Sequence, residues 1–114
     1  MATEDDVRRI ALDLPSTSEK PSYGMPGFRV KDKLFARMRE GEDDGILVLW
    51  VESEEDKHAL IAEDPDRFFT MPHYDGYAMV LARLATLDAA ELTELLTDAW
   101  RVRAPARLIA DLDG

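Results

Sequence analysis

Basic and aromatic side chains are interleaved in one short stretch of the chain, where together they could bind an anion. Between Arg29 and Arg39 there are five basic residues and one acid, Asp32, and the stretch also contains Phe35. The five basic residues are Arg29, Lys31, Lys33, Arg37 and Arg39. Cationic side chains neutralise phosphates and aromatic rings stack on bases. The stretch therefore predicts an anionic partner.

The charge of the whole chain opposes this attraction. Its 114 residues include 14 basic and 24 acidic side chains, which give a formal net charge of -10. The distribution is uneven, because the first forty residues hold eight basic and seven acidic side chains and the remainder holds six and seventeen. We therefore expect any site for a polyanion to lie in the first third of the chain.

No catalytic motif accompanies the basic stretch. The two histidines, His58 and His73, match no metal-binding spacing. His58 is expected on an exposed helix surface, whereas His73 lies in a predicted loop beside a carboxylate, Asp75, that could assist it as a base. The chain has no cysteine, no P-loop, no dinucleotide fingerprint and no nucleophile elbow. We expect a protein that is not an enzyme and that uses no cofactor or metal. A small-molecule site around His73, Tyr74 and Tyr77 is a third-ranked hypothesis.

The length and composition predict a single domain over residues 1–114. Apolar residues make up 46% of the chain and charged residues 33%, as in soluble globular proteins. The amino terminus is acidic where a secretory signal would be basic, and no apolar run approaches the ~20 residues that span a bilayer. The expected location is cytoplasmic, without membrane association.

The first half of the chain predicts one helix followed by strands. Thr3 precedes three acids and would cap a helix that Pro15 ends. An irregular or edge strand is predicted around Glu19–Tyr23, because proline and glycine surround it. Two short strands follow at 28–30 and 34–39, with a turn near Asp32. After an acidic turn at 41–45, the apolar run 46–51 predicts another strand.

The second half predicts two more helices around a strand. Ser53 would cap the second helix, which Asp64-Pro65 ends, and residues 68–76 are predicted to be mostly loop. Residues 77–84 form a strand, and Asp88 with Glu91 would cap the third helix. Its core stripe contains Leu92, Leu95, Leu96, Ala99 and Val102, and a short tail follows Ala104-Pro105. Strands joined by short turns indicate an antiparallel sheet, so we predict a two-layer α+β domain with helices on one face.

Alternation along the strands assigns the basic residues to the sheet face turned away from the helices, which we call the open face. Its predicted members are Arg29, Lys31, Arg37, Arg39 and Arg83, with Phe35 and Tyr77 between them. The strand 46–51 is apolar on both sides, so it would add either Trp50 with Ile46 and Val48 or the alternate residues. Three interpretations stay open: a solvated surface, a protein or homodimer interface, and a nucleic-acid site.

The pattern as a whole resembles the MmcQ/YjbR family. The matching features run along nearly the whole chain, and their order and spacing carry the likeness. They are Leu14-Pro15, Gly24-Met-Pro-Gly-Phe-Arg-Val30, Lys33-Leu-Phe-Ala36, Leu47-Val-Leu-Trp50, the helix from Ser53, Pro72-His-Tyr-Asp-Gly-Tyr77, Leu95-Leu96, Ala99-Trp100 and Ala104-Pro105.

This resemblance implies an α-β(3)-α-β(2)-α fold, similar to that of secretion chaperones, and a DNA-binding role. The family's recurrent motifs fall here on Phe28, Arg29, Val30, Lys33 and Phe35. Our hypothesis is that the five basic residues between Arg29 and Arg39, with Arg83, contact DNA phosphates. Phe35 or Trp50 would stack on bases. The alternative is a protein-interaction or dimerisation module that uses the same face.

Overall fold

A computed structural model describes residues 1–39 and 45–113 and shows one antiparallel sheet with helices packed on one of its faces. The helices are α1 (Glu4–Leu12), α2 (Glu54–Glu63), α3 (Ala89–Arg103) and α4 (Ala106–Asp113). The strands are β1 (Thr17–Ser22), β2 (Met25–Val30), β3 (Lys33–Arg39), β4 (Ile46–Trp50), β5 (Phe68–Phe69) and β6 (Met79–Arg83). Their order across the sheet is β1-β2-β3-β4-β6-β5. The predicted α+β class is confirmed.

Two tight turns join the first three strands. Tyr23 and Gly24 connect β1 to β2 with φ angles of 52° and 79°, and Lys31 and Asp32 connect β2 to β3 with φ angles of 49° and 66°. Positive φ at both central residues is the geometry of a two-residue hairpin whose twist matches that of the strands. The turn predicted near Asp32 is therefore present, and a second one precedes it.

The three predicted helix caps are confirmed. The Thr3 side chain accepts a hydrogen bond from the Asp6 backbone, and Asp6 returns one by accepting from the Thr3 backbone. That backbone bond is the main reason that the pKa of Asp6 lies below its ordinary value. Asp88 and Glu91 form the same reciprocal pair at α3, and Ser53 accepts from the Asp56 backbone at α2. Each cap satisfies backbone donors that have no partner within the helix.

The main core lies between the sheet and the helices. Residues Phe28, Leu47 and Leu49 of the sheet and Trp100 of α3 are essentially inaccessible to solvent. Trp100 was not in the predicted stripe, whereas Val102 was and is 37% exposed. The buried positions of α3 are Leu92, Leu96, Ala99 and Trp100. They follow a period of 3.6 residues, which leaves Val102 on the flank of the helix.

The structure adds elements to the predicted arrangement. The strand expected around Glu19–Tyr23 is a full strand, β1, so four strands precede α2. The segment predicted as mostly loop contains β5, which pairs with β6, and a single 3₁₀ turn at Pro72–Tyr74. The predicted tail folds as α4, because Leu108 is buried and Ile109 and Leu112 pack against the main core. Most of the predicted acidic turn, residues 41–44, lies outside the described residues.

None of the helices in the described chain is long and apolar enough to cross a lipid bilayer.

One buried hydroxyl predicts a stabilising substitution. The Thr70 Oγ1 atom is inaccessible to solvent and has no hydrogen-bond partner among residues 1–39 and 45–113. An unsatisfied buried hydroxyl costs about 1–3 kcal/mol, so Thr70→Val should raise the free energy of unfolding by about 1 kcal/mol. Urea denaturation followed by circular dichroism measures this change. Thr93→Val on exposed α3 surface is the control, and an equal gain there would mean that the hydroxyl at 70 is not the cause.

Candidate nucleic-acid interface

The strand register shows which residues lie on the open face, and the predicted arginines are among them. Arg29 alternates with Phe28 and Val30, which are both buried in the helix-side core, so it lies on the open face. The cross-strand rows that carry the other arginines are Arg37–Val48–Leu81–Phe69 and Arg39–Ile46–Arg83. Neighbouring strands lie about 4.8 Å apart, so residues in one row are within side-chain reach of each other.

Phe35 does not lie on this face, which corrects the prediction from alternation, and Lys33, a predicted phosphate contact, does not lie on it either. A β-bulge between β2 and β3 shifts the register, since Phe28 pairs with Ala36 but Arg29 pairs with Leu34. Phe35 is the extra residue; it points into the main core and is fully buried, so it cannot stack on a base. Lys33 pairs with buried Val30 and therefore falls on the helix side of the sheet.

Arg37 and Arg39 line a groove of about 520 Å³ on the open face. The other lining residues are Tyr23, Met25, His73 and Tyr74. The groove lies between the β1–β2 turn, which supplies Tyr23, and the 3₁₀ turn, which supplies His73. The structure therefore joins two of the predicted phosphate contacts with two of the residues from the small-molecule hypothesis. Tyr77, the third residue of that hypothesis, does not line the groove.

The Arg37 guanidinium is held between two tyrosine rings. Its carbon lies 5.5 Å from the ring centre of Tyr23 and 5.8 Å from that of Tyr74, and the guanidinium donates a hydrogen bond to the Tyr74 hydroxyl. These distances suit cation–π attraction. His73 packs edge-on against Tyr74 with their ring centres 5.1 Å apart. Tyr74 is buried but Tyr23 is 92% exposed, so the outer face of the Tyr23 ring is available for stacking.

Lys57 of α2 fixes the segment that forms one side of the groove. We call residues 70–77 the covering segment, because Tyr74 within it packs on Val48 and Leu81 of the open face. Lys57 is 1% exposed, and its Nζ donates to the Tyr74 carbonyl at 2.6 Å and to the Tyr77 carbonyl at 3.1 Å. These bonds satisfy the buried ammonium and hold the backbone on either side of Gly76.

The remaining predicted contacts lie away from the groove. Lys31 is exposed at the β2–β3 turn. The Arg83 guanidinium lies 4.1 Å from the ring centre of Phe69 and donates to the Pro65 and Asp66 carbonyls, so it anchors the chain before β5. Trp50 is on the open face, half-buried, with the Arg103 guanidinium 5.7 Å from its ring centre.

Four arginines outside the open face form ion pairs with described carboxylates, whereas Arg103 and Arg107 do not. Arg8 bonds Glu19 at 2.8 Å, Arg67 bonds Asp64 at 3.1 Å, and Arg101 bonds Asp113. Within residues 1–39 and 45–113, by contrast, the open-face arginines 29, 37, 39 and 83 form no ion pair with a carboxylate. The described acidic residues are thus not used to neutralise this face.

Two residues of this site were missed in the sequence. Tyr23 was assigned to the end of an irregular strand, although an aromatic residue next to Gly24 in a two-residue turn projects from the sheet. Lys57 lies in the polar run 54–58. The only indication in the sequence that it is buried is that it shares a helix face with Leu60 and Ile61. In the part of the chain that the structure describes, no three side chains of types that bind metals are grouped to hold an ion.

Comparison with known proteins finds similar chains in bacteria. Uncharacterized proteins of Mycobacterium tuberculosis and Mycobacterium bovis are each 40% identical to this chain over 124 aligned positions, which cover 96% of this chain and 94% of theirs. The crystal structure of the Deinococcus radiodurans protein DR2400, with the family-model domain DUF419, superposes with a TM-score of 0.73. It is 26% identical, and the match covers 88% of this chain and 77% of that one. The YjbR family model matches residues 12–102, and the chain therefore belongs to the YjbR family.

Proposed function

We propose that this protein binds single-stranded nucleic acid on the open face, with the groove beside Arg37 as the central contact. The observation that carries the proposal is the pairing of an exposed ring, Tyr23, with two arginines, Arg37 and Arg39, that form no ion pair with a described carboxylate. Arginine neutralises the backbone of the strand, and the ring stacks on a base.

The groove suits one nucleotide of a bound strand. Its lining supplies two guanidinium groups for a phosphate, and Tyr23 supplies a flat apolar surface for the base. Arg37 is already oriented by its bond to Tyr74, so little side-chain entropy is lost when a phosphate binds. Arg29 would extend the contact toward the β2–β3 turn, where Lys31 is also exposed.

A duplex fits the same face less well. Binding to a duplex depends chiefly on many phosphate contacts, and the net charge of -10 opposes the approach of a polyanion. Stacking on Tyr23 adds an attraction that does not depend on net charge and that requires an unpaired base. We therefore propose the single strand, DNA or RNA, as the ligand.

In this proposal the protein is a binding module in the cytoplasm and not an enzyme. Within residues 1–39 and 45–113, the groove brings together guanidinium, phenol and thioether groups with a single imidazole and no carboxylate. A histidine that acts as a general base is commonly oriented by a carboxylate. Binding to nucleic acid also requires a compartment that contains it.

The competing hypothesis of a dimer through the open face loses much of its support. It depended on an exposed apolar strip, but Val48 and Leu81 are fully buried and Tyr74 covers them. Residues Ile46, Trp50, Phe69, Met71 and Met79 are half-buried around this cluster. The solvent-exposed part of this face therefore consists of the groove and its arginines as well as apolar surface.

Arg37→Glu/Arg39→Glu should abolish binding to a fluorescently labelled single-stranded oligonucleotide. Reversing two charges in the groove removes the phosphate contacts and adds repulsion, so affinity should fall at least about tenfold. Fluorescence anisotropy from about 50 to about 300 mM salt measures this, and the wild type should weaken steeply along that series. Arg9→Glu/Arg107→Glu makes the same charge change on the helix side and should retain most of the affinity.

Two tyrosine substitutions test the stacking contact in the same anisotropy experiment. Tyr23→Ala should weaken single-strand binding by about fivefold or more, since one stacked base is worth about 1–3 kcal/mol. Tyr77→Ala removes another exposed tyrosine that does not line the groove and should have little effect. Absence of binding by the wild type at about 50 mM salt would refute the proposal. Equal losses in both double-arginine variants would place any binding elsewhere, and equal affinity for duplex would contradict the preference for single strands.

A further inference from the structure

A second groove, on the other side of the sheet, lies between α2 and α3. Its volume is about 680 Å³, and it reaches the carboxyl end of β4. Leu49 and Val80, which point toward the helices, form its floor. Its apolar walls are Ala59 and Leu60 of α2, Leu95 and Val102 of α3, and Trp50 and Val51 at the end of β4.

The groove exists because the two helices pack on different parts of the sheet. Helix α3 packs on β3 and β4 and against α1, whereas α2 packs beside β5 and β6. Lys57 is the only fully buried residue of α2, and it points toward the covering segment. The apolar side of α2 that faces α3 consequently lines the groove. Leu60 on this side is half-buried and Ala59 is exposed.

The rim of this groove is acidic. Glu52, Asp56, Glu63 and Asp98 line it, and the single basic lining residue is Arg101. Arg101 is itself engaged, because its guanidinium donates to both oxygens of the Asp113 carboxylate on α4. The bond to Asp113 is the main reason that the pKa of Arg101 lies above its ordinary value, and it leaves the rim with four carboxylates and one neutralised cation.

We propose that the α2–α3 groove docks a basic amphipathic helix of a partner protein. The apolar floor and walls would take one stripe of that helix, as helix-binding grooves do, and the four rim carboxylates would pair with lysine or arginine beside the stripe. Charge complementarity selects this occupant, because an acidic or neutral helix would leave the rim carboxylates facing each other unpaired. The floor of this groove and the groove beside Arg37 are on opposite sides of the sheet and share no lining residue, so both ligands can be bound together.

Model peptides test this proposal directly. The probe is a fluorescently labelled helix of about five turns, built from leucine and lysine at helical spacing. A second peptide has glutamate in place of every lysine. The intact protein should bind the lysine peptide, and the glutamate peptide should bind at least about tenfold more weakly. If the two bind equally, the rim does not select the partner and the proposal is overturned.

Matched variants locate the contact. Val102→Lys places a positive charge in the groove and should weaken binding of the lysine peptide at least about tenfold, whereas Leu12→Lys, which adds the same charge at a similarly exposed position of α1, should have little effect. Asp56→Asn/Asp98→Asn should weaken binding more than Asp66→Asn/Asp75→Asn, which removes two carboxylates that do not line the groove. Circular dichroism checks that each variant is folded.

Two results would overturn the proposal. If Val102→Lys and Leu12→Lys weaken peptide binding equally, the lysine peptide responds only to the net charge of the protein. If the wild type sediments as a dimer and Val102→Lys restores the monomer, a second copy of the chain occupies the groove in place of a basic helix.

Discussion

Lys57→Met should lower the free energy of unfolding by about 2–4 kcal/mol, because methionine fills similar space but donates no hydrogen bond. The Tyr74 and Tyr77 carbonyls would each lose their bond to Nζ, and an unsatisfied buried acceptor costs about 1–3 kcal/mol. Urea denaturation of the two proteins gives the difference directly. The substitution should also loosen the covering segment, and amide hydrogen exchange at residues 74–77 should become faster.

A second lysine serves as the control for this result. Lys33→Met changes the same chemical group at an exposed position and should alter stability by less than about 0.5 kcal/mol. If both variants are equally stable, the Lys57 bonds contribute nothing to folding. Lys57→Met should in addition weaken oligonucleotide binding, because the position of Tyr74 and hence of Arg37 depends on the covering segment. Unchanged affinity would show that the Lys57 bonds do not determine how the groove binds the oligonucleotide.

Trp100→Ala should be the most destabilising single substitution proposed for this protein, at about 3–5 kcal/mol. The indole is fully buried in the main core, and its Nε1 donates to the Pro15 carbonyl at 3.0 Å. It thereby joins α3 to the chain that leaves α1. Since domains of this size are stable by only about 5–15 kcal/mol, a large part of the variant should be unfolded on mild heating.

Circular dichroism is the measurement for Trp100→Ala, because removing an indole alters the fluorescence signal itself. Trp50→Ala truncates the same side chain at a half-buried position and should cost clearly less. Trp100→Phe keeps most of the apolar volume but removes the bond to Pro15, so its loss should fall between the two. If Trp50→Ala lowers the free energy of unfolding as much as Trp100→Ala does, Trp100 is not the better packed of the two tryptophans.

Local patterns were sufficient to predict the elements that position the site. The caps at Thr3, Ser53 and Asp88 depend only on residues three positions away. The faces of β6 follow from simple alternation, which placed Arg83 on the open face. The same reasoning placed Arg37 and Arg39 there, because no irregularity separates them along β3. The family likeness also agreed with this order of elements.

Features that depend on contacts between distant residues could not be predicted in the same way. Alternation places Phe35 beside Arg37, but the bulge opposite β2 turns it into the core, and the pattern of β3 alone does not reveal a bulge. The burial of Lys57 depends on carbonyls seventeen and twenty residues away in the chain. The groove itself requires the β1–β2 turn and the 3₁₀ turn to meet across the sheet. Only the fold shows that Tyr23 and His73 are neighbours.

The two outermost strands determine how this sheet can meet other molecules. A free strand edge invites another strand to add to the sheet, unless the edge is short or interrupted. The outer strand on one side, β1, contains Pro21, which has no amide hydrogen to donate, and it carries Glu19 and Lys20 beside it. On the other side β5 has only two residues. Neither edge is a good template for an added strand, so amyloid-like growth through the edges of this sheet is disfavoured.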